Sequence, residues 1–223
     1  MKALHKKIIK EVSLKTLLVS ALFFVAIFVF AFLAHEIVGE KEDMFDSKVF
    51  HFLKAHTTAP LVKLMDGLSF FGTHYFLIPA YILMVAFLFF RHRISDAVNI
   101  IVIVLSSTAL LFGLKTIYQR QRPEFPLLRE FHNYSFPSGH ALSSFIFCSI
   151  LIYLIWKSDL RSVLKYLLAG LLVIFSISIG ISRIVLRYHF ASDVLAGFAL
   201  GFAWVIFSFW VLKKLSKKLE PGH

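Results

Sequence analysis

The sequence runs to 223 residues, 58% of them hydrophobic and only 17% charged, with a formal net charge of +11. A water-soluble domain carries about 45–50% apolar and about 25% charged residues. It has no interior roomy enough for twenty-six phenylalanines, so composition excludes a soluble globular protein and points to one that spans a bilayer.

Six apolar stretches follow one another along the chain, at 16–34, 75–90, 97–114, 141–156, 166–181 and 194–212. A spanning helix needs roughly 17–25 residues; three stretches reach that directly and three do so with their semi-polar flanks. None alternates with period two, which argues against a membrane barrel. The first stretch follows a basic start, Lys2, Lys6, Lys7, Lys10 and Lys15, as a secretory signal would. Its apolar run exceeds the roughly 7–15 residues of a signal peptide, and Phe32 breaks the small-residue cleavage pattern before His35. A retained helix is expected.

The segment 35–74 places Leu61, Leu64, Met65 and Leu68 on one helical face, with Pro60 suited to a first turn after Thr57 and Thr58. It is expected to form one or two short helices at the membrane interface. The expected fold is therefore all-α, a six-transmembrane-helix bundle with short interfacial helices between helices 1 and 2. No repeat or linker divides it, so residues 1–223 are read as a single integral membrane domain. The lone Cys148 sits in an apolar run and reads as a packing residue.

Charge distribution sets the orientation. With the N-terminus inside, the inner segments hold fourteen of the 24 basic residues against Glu11, Asp96, Asp159 and Glu220. The outer segments hold ten basic and nine acidic residues. Both termini are expected in the cytoplasm. The basic excess is accounted for by membrane orientation, and a nucleic-acid partner is not expected.

Three polar clusters then fall on the outer side, where polar groups converging on one end of an apolar bundle imply a site. In Lys115-Thr-Ile-Tyr-Gln-Arg-Gln-Arg122-Pro123, Lys115 and Arg122 stand two turns apart on similar faces if the helix continues, with Arg120 between them. Two such cations suit a phosphate; interfacial snorkelling is the plainer alternative. In Phe136-Pro-Ser-Gly-His140, Ser138 is an N-cap candidate, and Gly139 lets an anion approach the free N–H groups of a helix start beside His140. An ordinary capped helix start is the alternative there. In Ser182-Arg-Ile-Val-Leu-Arg-Tyr-His-Phe-Ala-Ser-Asp193, His189 and Asp193 are four apart. A carboxylate on one ring nitrogen fixes the tautomer and leaves the other nucleophilic. A His–Asp helix cap is the plainer reading.

Together these motifs, K-x6-RP, PSGH and SR-x5-H-x3-D, resemble the type 2 phosphatidic acid phosphatase family, which also includes soluble bacterial acid phosphatases and vanadium haloperoxidases. The resemblance implies that His189 attacks phosphorus to give a phosphohistidine, oriented by Asp193. It implies that His140 protonates the leaving oxygen, and that Lys115, Arg122, Ser138, Gly139 and Arg183 hold the phosphoryl oxygens. Such chemistry needs positioning and positive charge, so neither metal nor other cofactor is expected. The family's membrane branch acts on lipid phosphates, and the six spans favour that branch. A phosphatidylglycerophosphate or undecaprenyl diphosphate phosphatase of a bacterial inner membrane is expected, with phosphatidic acid a further substrate of the class. A lipid A phosphatase or phosphotransferase of the same fold is the alternative, and a headgroup-binding or transport protein the non-enzyme one. Arg187 departs from the family pattern, which carries a small residue there; it is read as snorkelling and left outside the site. Gly197 and Gly201 form a GxxxG expected to pack the last helix against a neighbour.

Overall fold

The computed structural model describes residues 14–39 and 44–219. The basic run Lys2 to Lys10, residues 40–43 of the first connection, and Glu220 lie outside the described residues. The chain forms α1 (Leu14–Gly39), α2 (Met44–His56), α3 (Ala59–Phe70), α4 (His74–Phe90), α5 (Ile94–Tyr118), α6 (Gly139–Trp156), α7 (Ser162–Val185) and α8 (Ala191–Leu219). Six segments are long and apolar enough to cross a membrane: α1, α3 running into α4, α5, α6, α7 and α8. The all-α, six-span fold read from the sequence is the one observed.

Hydropathy marks only the lipid-compatible middle of each helix, so the helices overrun their predicted stretches. Backbone hydrogen bonding continues into polar ends because it does not depend on side-chain polarity. Those overruns matter: Lys115 at the end of α5, Arg183 at the end of α7 and Asp193 at the start of α8 all lie in them. The site is thus built where the apolar pattern stops.

The bundle is organised around α6, which packs against both α7 and α8, while α1 lies along α8. Leu88, Ile100, Ile103, Leu142, Ile146 and Ile150 form its buried apolar centre. By contrast, Leu22, Phe24 and Phe28 of α1 and Leu83 and Phe90 of α4 point outward. In a bilayer such side chains meet lipid at no hydrophobic cost. At the end away from the site, Asp96 fastens α5 to α6 by accepting from Lys157 Nζ at 2.7 Å and the Tyr153 hydroxyl at 2.8 Å.

Of the two short helices in the first connection, α2 packs on α8 and α3 lies against α7. Pro60 sits in the first turn of α3, where its missing N–H is no loss. A turn at 71–73 then leads into α4.

The GxxxG pair sets the closeness of α8 to α6. A Cβ at Gly197 would lie 2.7 Å from the Ser138 carbonyl oxygen, and one at Gly201 3.2 Å from the Phe145 ring. Because the obstacle at Gly197 is backbone, Gly197→Ala is expected to destabilise the protein by about 1–3 kcal/mol and to lower activity by displacing the turn that carries His140. Gly113, in α5, has open space around it, so Gly113→Ala is expected to be neutral or slightly stabilising. Thermal unfolding in detergent compares the two; equal behaviour would contradict the close approach.

Candidate active site

The three polar clusters meet at one end of the bundle. The α5 helix ends at Tyr118, with Gln119 in the left-handed region at φ 46°. Arg122 therefore lies beyond the helix, and the expected two-turn helical alignment with Lys115 does not form. The two cations arrive from different directions instead. Lys115 Nζ reaches across to donate to the carbonyls of Tyr134 and, at 3.3 Å, Ser135. Arg122 is held by Asn133, through Nε to the carbonyl at 2.8 Å and Nη2 to Oδ1 at 2.6 Å, and donates through Nη1 to the Tyr188 carbonyl.

The third motif is positioned by the way α7 ends. Tyr188 N–H donates to the Arg183 carbonyl at 2.9 Å and Arg187 N–H to Ile184 at 3.0 Å, with Arg187 at φ 57°. This is a Schellman closure, whose left-handed position usually holds glycine. An L side chain there costs about 1–2 kcal/mol. The closure turns the chain so that His189 enters the centre just before α8. Asp193, in the first turn of α8, accepts from Phe190 N–H at 2.9 Å, as the third residue of a capping box does. The helix-cap reading and the His–Asp pairing thus hold at once.

His189 is 1% exposed. Its Nδ1 lies 3.3 Å from both Asp193 Oδ2 and Ser135 Oγ, and the Ser135 hydroxyl itself donates to Asp193. On the other side Arg122 Nη1 donates to Nε2 at 3.2 Å. These partners assign the tautomer: the proton sits on Nδ1 and Nε2 carries the lone pair. Burial, opposed by the bond to Asp193 and reinforced by Arg122, pushes the His189 imidazole down to about 3. In that neutral form Nε2 keeps its lone pair.

The α6 end of the site is capped as expected, with Ser138 Oγ accepting from Ala141 N–H at 3.4 Å. The Asp193 carbonyl accepts from Ser138 N–H at 3.0 Å, which ties the two motifs together. The first-turn N–H groups of Gly139 and His140 take no backbone carbonyl. His140 Nε2 is buried without a hydrogen-bond partner. Its ring rests on Gly72, where a Cβ would come within 2.7 Å of Cδ2. Only glycine leaves room for that histidine.

Arg183 is 2% exposed; its Nη1 donates to Ser69 Oγ of α3, and its plane lies 4.4 Å from the Tyr188 ring centre and 5.3 Å from that of Phe131. Lys115 is likewise buried and Arg122 half-buried. None of the three cations pairs with a carboxylate among the described residues; their partners are carbonyls, an amide, a hydroxyl and an imidazole. Buried charge left without a counter-ion is costly. A dianion at this spot removes that cost.

Sequence reasoning passed over the groups that hold Asp193. Arg120 donates through Nη1 to Asp193 Oδ1 at 2.7 Å and through Nη2 to Asp46 Oδ2 at 2.9 Å. Asp46, from α2, also accepts from Ser192 N–H at 2.9 Å and from its hydroxyl. Arg120 and Ser135 stood inside the motif clusters and were visible there. Nothing local marked Asp46 or Ser69.

Residues 96–217 match the PAP2 superfamily. Phosphatidylglycerophosphatase B of Bacillus subtilis (strain 168) is 30% identical over 165 residues, spanning 72% of this chain and 77% of that protein. Among solved structures, the first transmembrane PAP2-type phosphatidylglycerolphosphate phosphatase from Bacillus subtilis superposes with a TM-score of 0.78 at 25% identity, covering 90% of this chain and 98% of that one. The LpxE structure from Aquifex aeolicus does so with a TM-score of 0.58 at 24% identity, covering 77% and 98%.

Proposed function

Because the chain belongs to the PAP2 superfamily and is a membrane lipid phosphatase of that family, we propose that it removes the terminal phosphoryl group of a lipid by way of a phosphohistidine on His189. The observation that carries this reading is the buried imidazole of His189, its Nε2 3.2 Å from Arg122 Nη1, in a site whose cations Lys115, Arg122 and Arg183 have no carboxylate partner among the described residues. A phosphoryl group entering there meets Lys115, Arg122 and Arg183 together with the Ser138 turn and the Gly139 N–H. The bond from Arg122 to Nε2 gives way as phosphoryl oxygens offer that guanidinium a charged acceptor.

In the first step Nε2 bonds to phosphorus while the phosphorus–oxygen bond to the lipid breaks. His140 gives its proton to the departing oxygen, and the arriving dianion stabilises the imidazolium form it needs. Asp193 holds the positive charge that forms on His189. In the second step water attacks phosphorus and its proton passes to His140, while the phosphorus–Nε2 bond breaks with its electron pair returning to His189, and inorganic phosphate leaves. The cations and helix-start amides supply the charge stabilisation that a metal supplies elsewhere. The nearby carboxylates, Asp193 and Asp46, are both engaged by Arg120.

We place the site on the outer face, with both termini cytoplasmic, on the excess of Lys and Arg at the opposite end of the bundle. Phosphatidylglycerophosphate and undecaprenyl diphosphate are the preferred substrates in this reading. Purified protein in detergent is expected to release inorganic phosphate from one or both, to keep its activity in excess EDTA and to be inhibited competitively by vanadate. Failure to release phosphate from any lipid phosphate, or loss on chelation restored by magnesium, would count against it.

A further inference from the structure

The left-handed position of Arg187 is one that glycine fills without strain, yet it carries a long cation at the rim of the reaction centre. Arg187 is half-buried, and among the described residues its side chain makes neither a hydrogen bond nor an ion pair. It separates two depressions. One is lined by Arg122 and Tyr188. The other is a groove of about 320 Å³ between α2 and the 123–124 loop, lined by Ser47, His51, Lys54, Glu124, Arg187 and Phe190, among others.

The groove shares its wall with the centre, since Phe190 follows His189 directly and Pro123, also on the groove, follows Arg122. Ser47, His51 and Lys54 recur at the spacing of one helical face, and that face is held in place. Asp46, next to Ser47, is bonded to Ser192 and Arg120. Glu124 is the one carboxylate on the groove, and neither Arg187 nor Lys54 pairs with it. Two cations and a histidine therefore line a groove whose wall includes Pro123 and Phe190, the chain neighbours of Arg122 and His189.

We propose that Arg187 and Lys54, with His51, form a subsite for a second phosphate of the substrate, a few bonds from the phosphoryl group that is transferred. The inference rests on the phosphatase reading for the identity of the first phosphate. A lipid with a single phosphate fills only the reaction centre. One that carries a second phosphate across a glycerol reaches both sites, and Arg187 selects for it.

Two measurements on the full-length protein in detergent test this. In the first, kcat/KM is compared for phosphatidylglycerophosphate and phosphatidic acid. Arg187→Gly is expected to lower the ratio of the two about tenfold, the usual scale for one charge-assisted contact, while thermal stability holds or rises because glycine relieves the left-handed strain. Arg187→Lys is expected to restore part of the ratio, and Lys54→Ala to lower it. In the second, binding of glycerol 1,3-bisphosphate and glycerol 3-phosphate is measured in a His189→Ala background, which needs no turnover. There Arg187→Gly is expected to erase the preference for the bisphosphate. Wild-type turnover with an unchanged ratio in Arg187→Gly overturns the subsite and leaves the phosphatase reading standing. A bisphosphate preference that depends on Arg187, in a protein that releases phosphate from no lipid phosphate tried, undecaprenyl diphosphate included, supports the subsite and sinks the phosphatase reading. No preference in either measurement overturns the subsite outright.

Discussion

His189→Ala is expected to lose turnover on every substrate by about 10⁴-fold or more, whereas the loss in His140→Ala is expected to depend on the leaving group. A lipid alkoxide is a poor leaving group and needs a proton as its bond to phosphorus breaks. General-acid assistance of that kind is worth about 10²–10⁴-fold. An aryl phosphate departs as a far weaker base and needs less help, so His140→Ala should lose only about tenfold on it. Slow hydrolysis of the phosphoenzyme would mask this contrast in the steady state, so the initial burst of leaving-group release is the quantity to compare. Equal losses of burst rate on the two substrates would reassign His140 as a phosphate ligand. The buried, unpartnered Nε2 of His140 motivates the experiment, since such an atom needs an occupant of the site to bond with.

The second large effect concerns Arg120 and Asp46, which touch neither phosphate nor nucleophile and act through Asp193. Arg120→Ala takes the guanidinium away from two buried carboxylates, Asp193 at 0% and Asp46 at 2% exposure, leaving Asp193 to Ser135, Phe190 and His189 and Asp46 with its bonds from Ser192. Breaking a buried ion pair by removing one partner costs about 3–5 kcal/mol, so this variant is expected to fold poorly or not at all. Asp46→Asn is the more informative change, because an amide oxygen at Oδ1 still accepts from Ser192 N–H while the amide nitrogen at Oδ2 can no longer accept from Arg120 and the charge opposite it is gone. It is expected to lose less stability than Arg120→Ala, because Arg120 keeps Asp193 as its counter-ion, to keep its KM, and to lose about tenfold in kcat as Asp193 and His189 lose their fixed geometry. A positioning role predicts that split between kcat and KM. A fall in stability with kcat unchanged in the folded fraction would make the network purely structural.

The sequence and the structure agree where chemistry and periodicity are local. Apolar run lengths sufficed for the six spans, because a bilayer demands continuous apolar helix and little else satisfies it. The Ser138 cap was legible because it is decided within one turn of its own residues, and the GxxxG pair because two glycines one turn apart mark a face that a neighbouring helix can approach closely. Arg122 was misplaced because helix termination at Gln119 is a backbone event, a left-handed residue that no glycine announces. Arg187 was set aside on the same blind spot: its left-handed backbone, the feature that makes its identity informative, has no signature in residue type. Asp46 lies 146 residues from Ser192, and no spacing rule reaches that far. The carboxylate that anchors the start of α8 becomes visible only when α2 is seen folded against it.

The most direct test of the account is to trap the covalent intermediate. Protein mixed with a lipid phosphate, quenched in alkali to preserve a phosphoramidate and mapped by mass spectrometry, is expected to carry phosphate on the Nε2 of His189 and nowhere else. The adduct should be missing from His189→Ala. In His140→Ala it should survive longer once formed, because its hydrolysis needs a base. Phosphate found on another residue, or full turnover with no phosphoenzyme at any quench time, would contradict the central role given to His189.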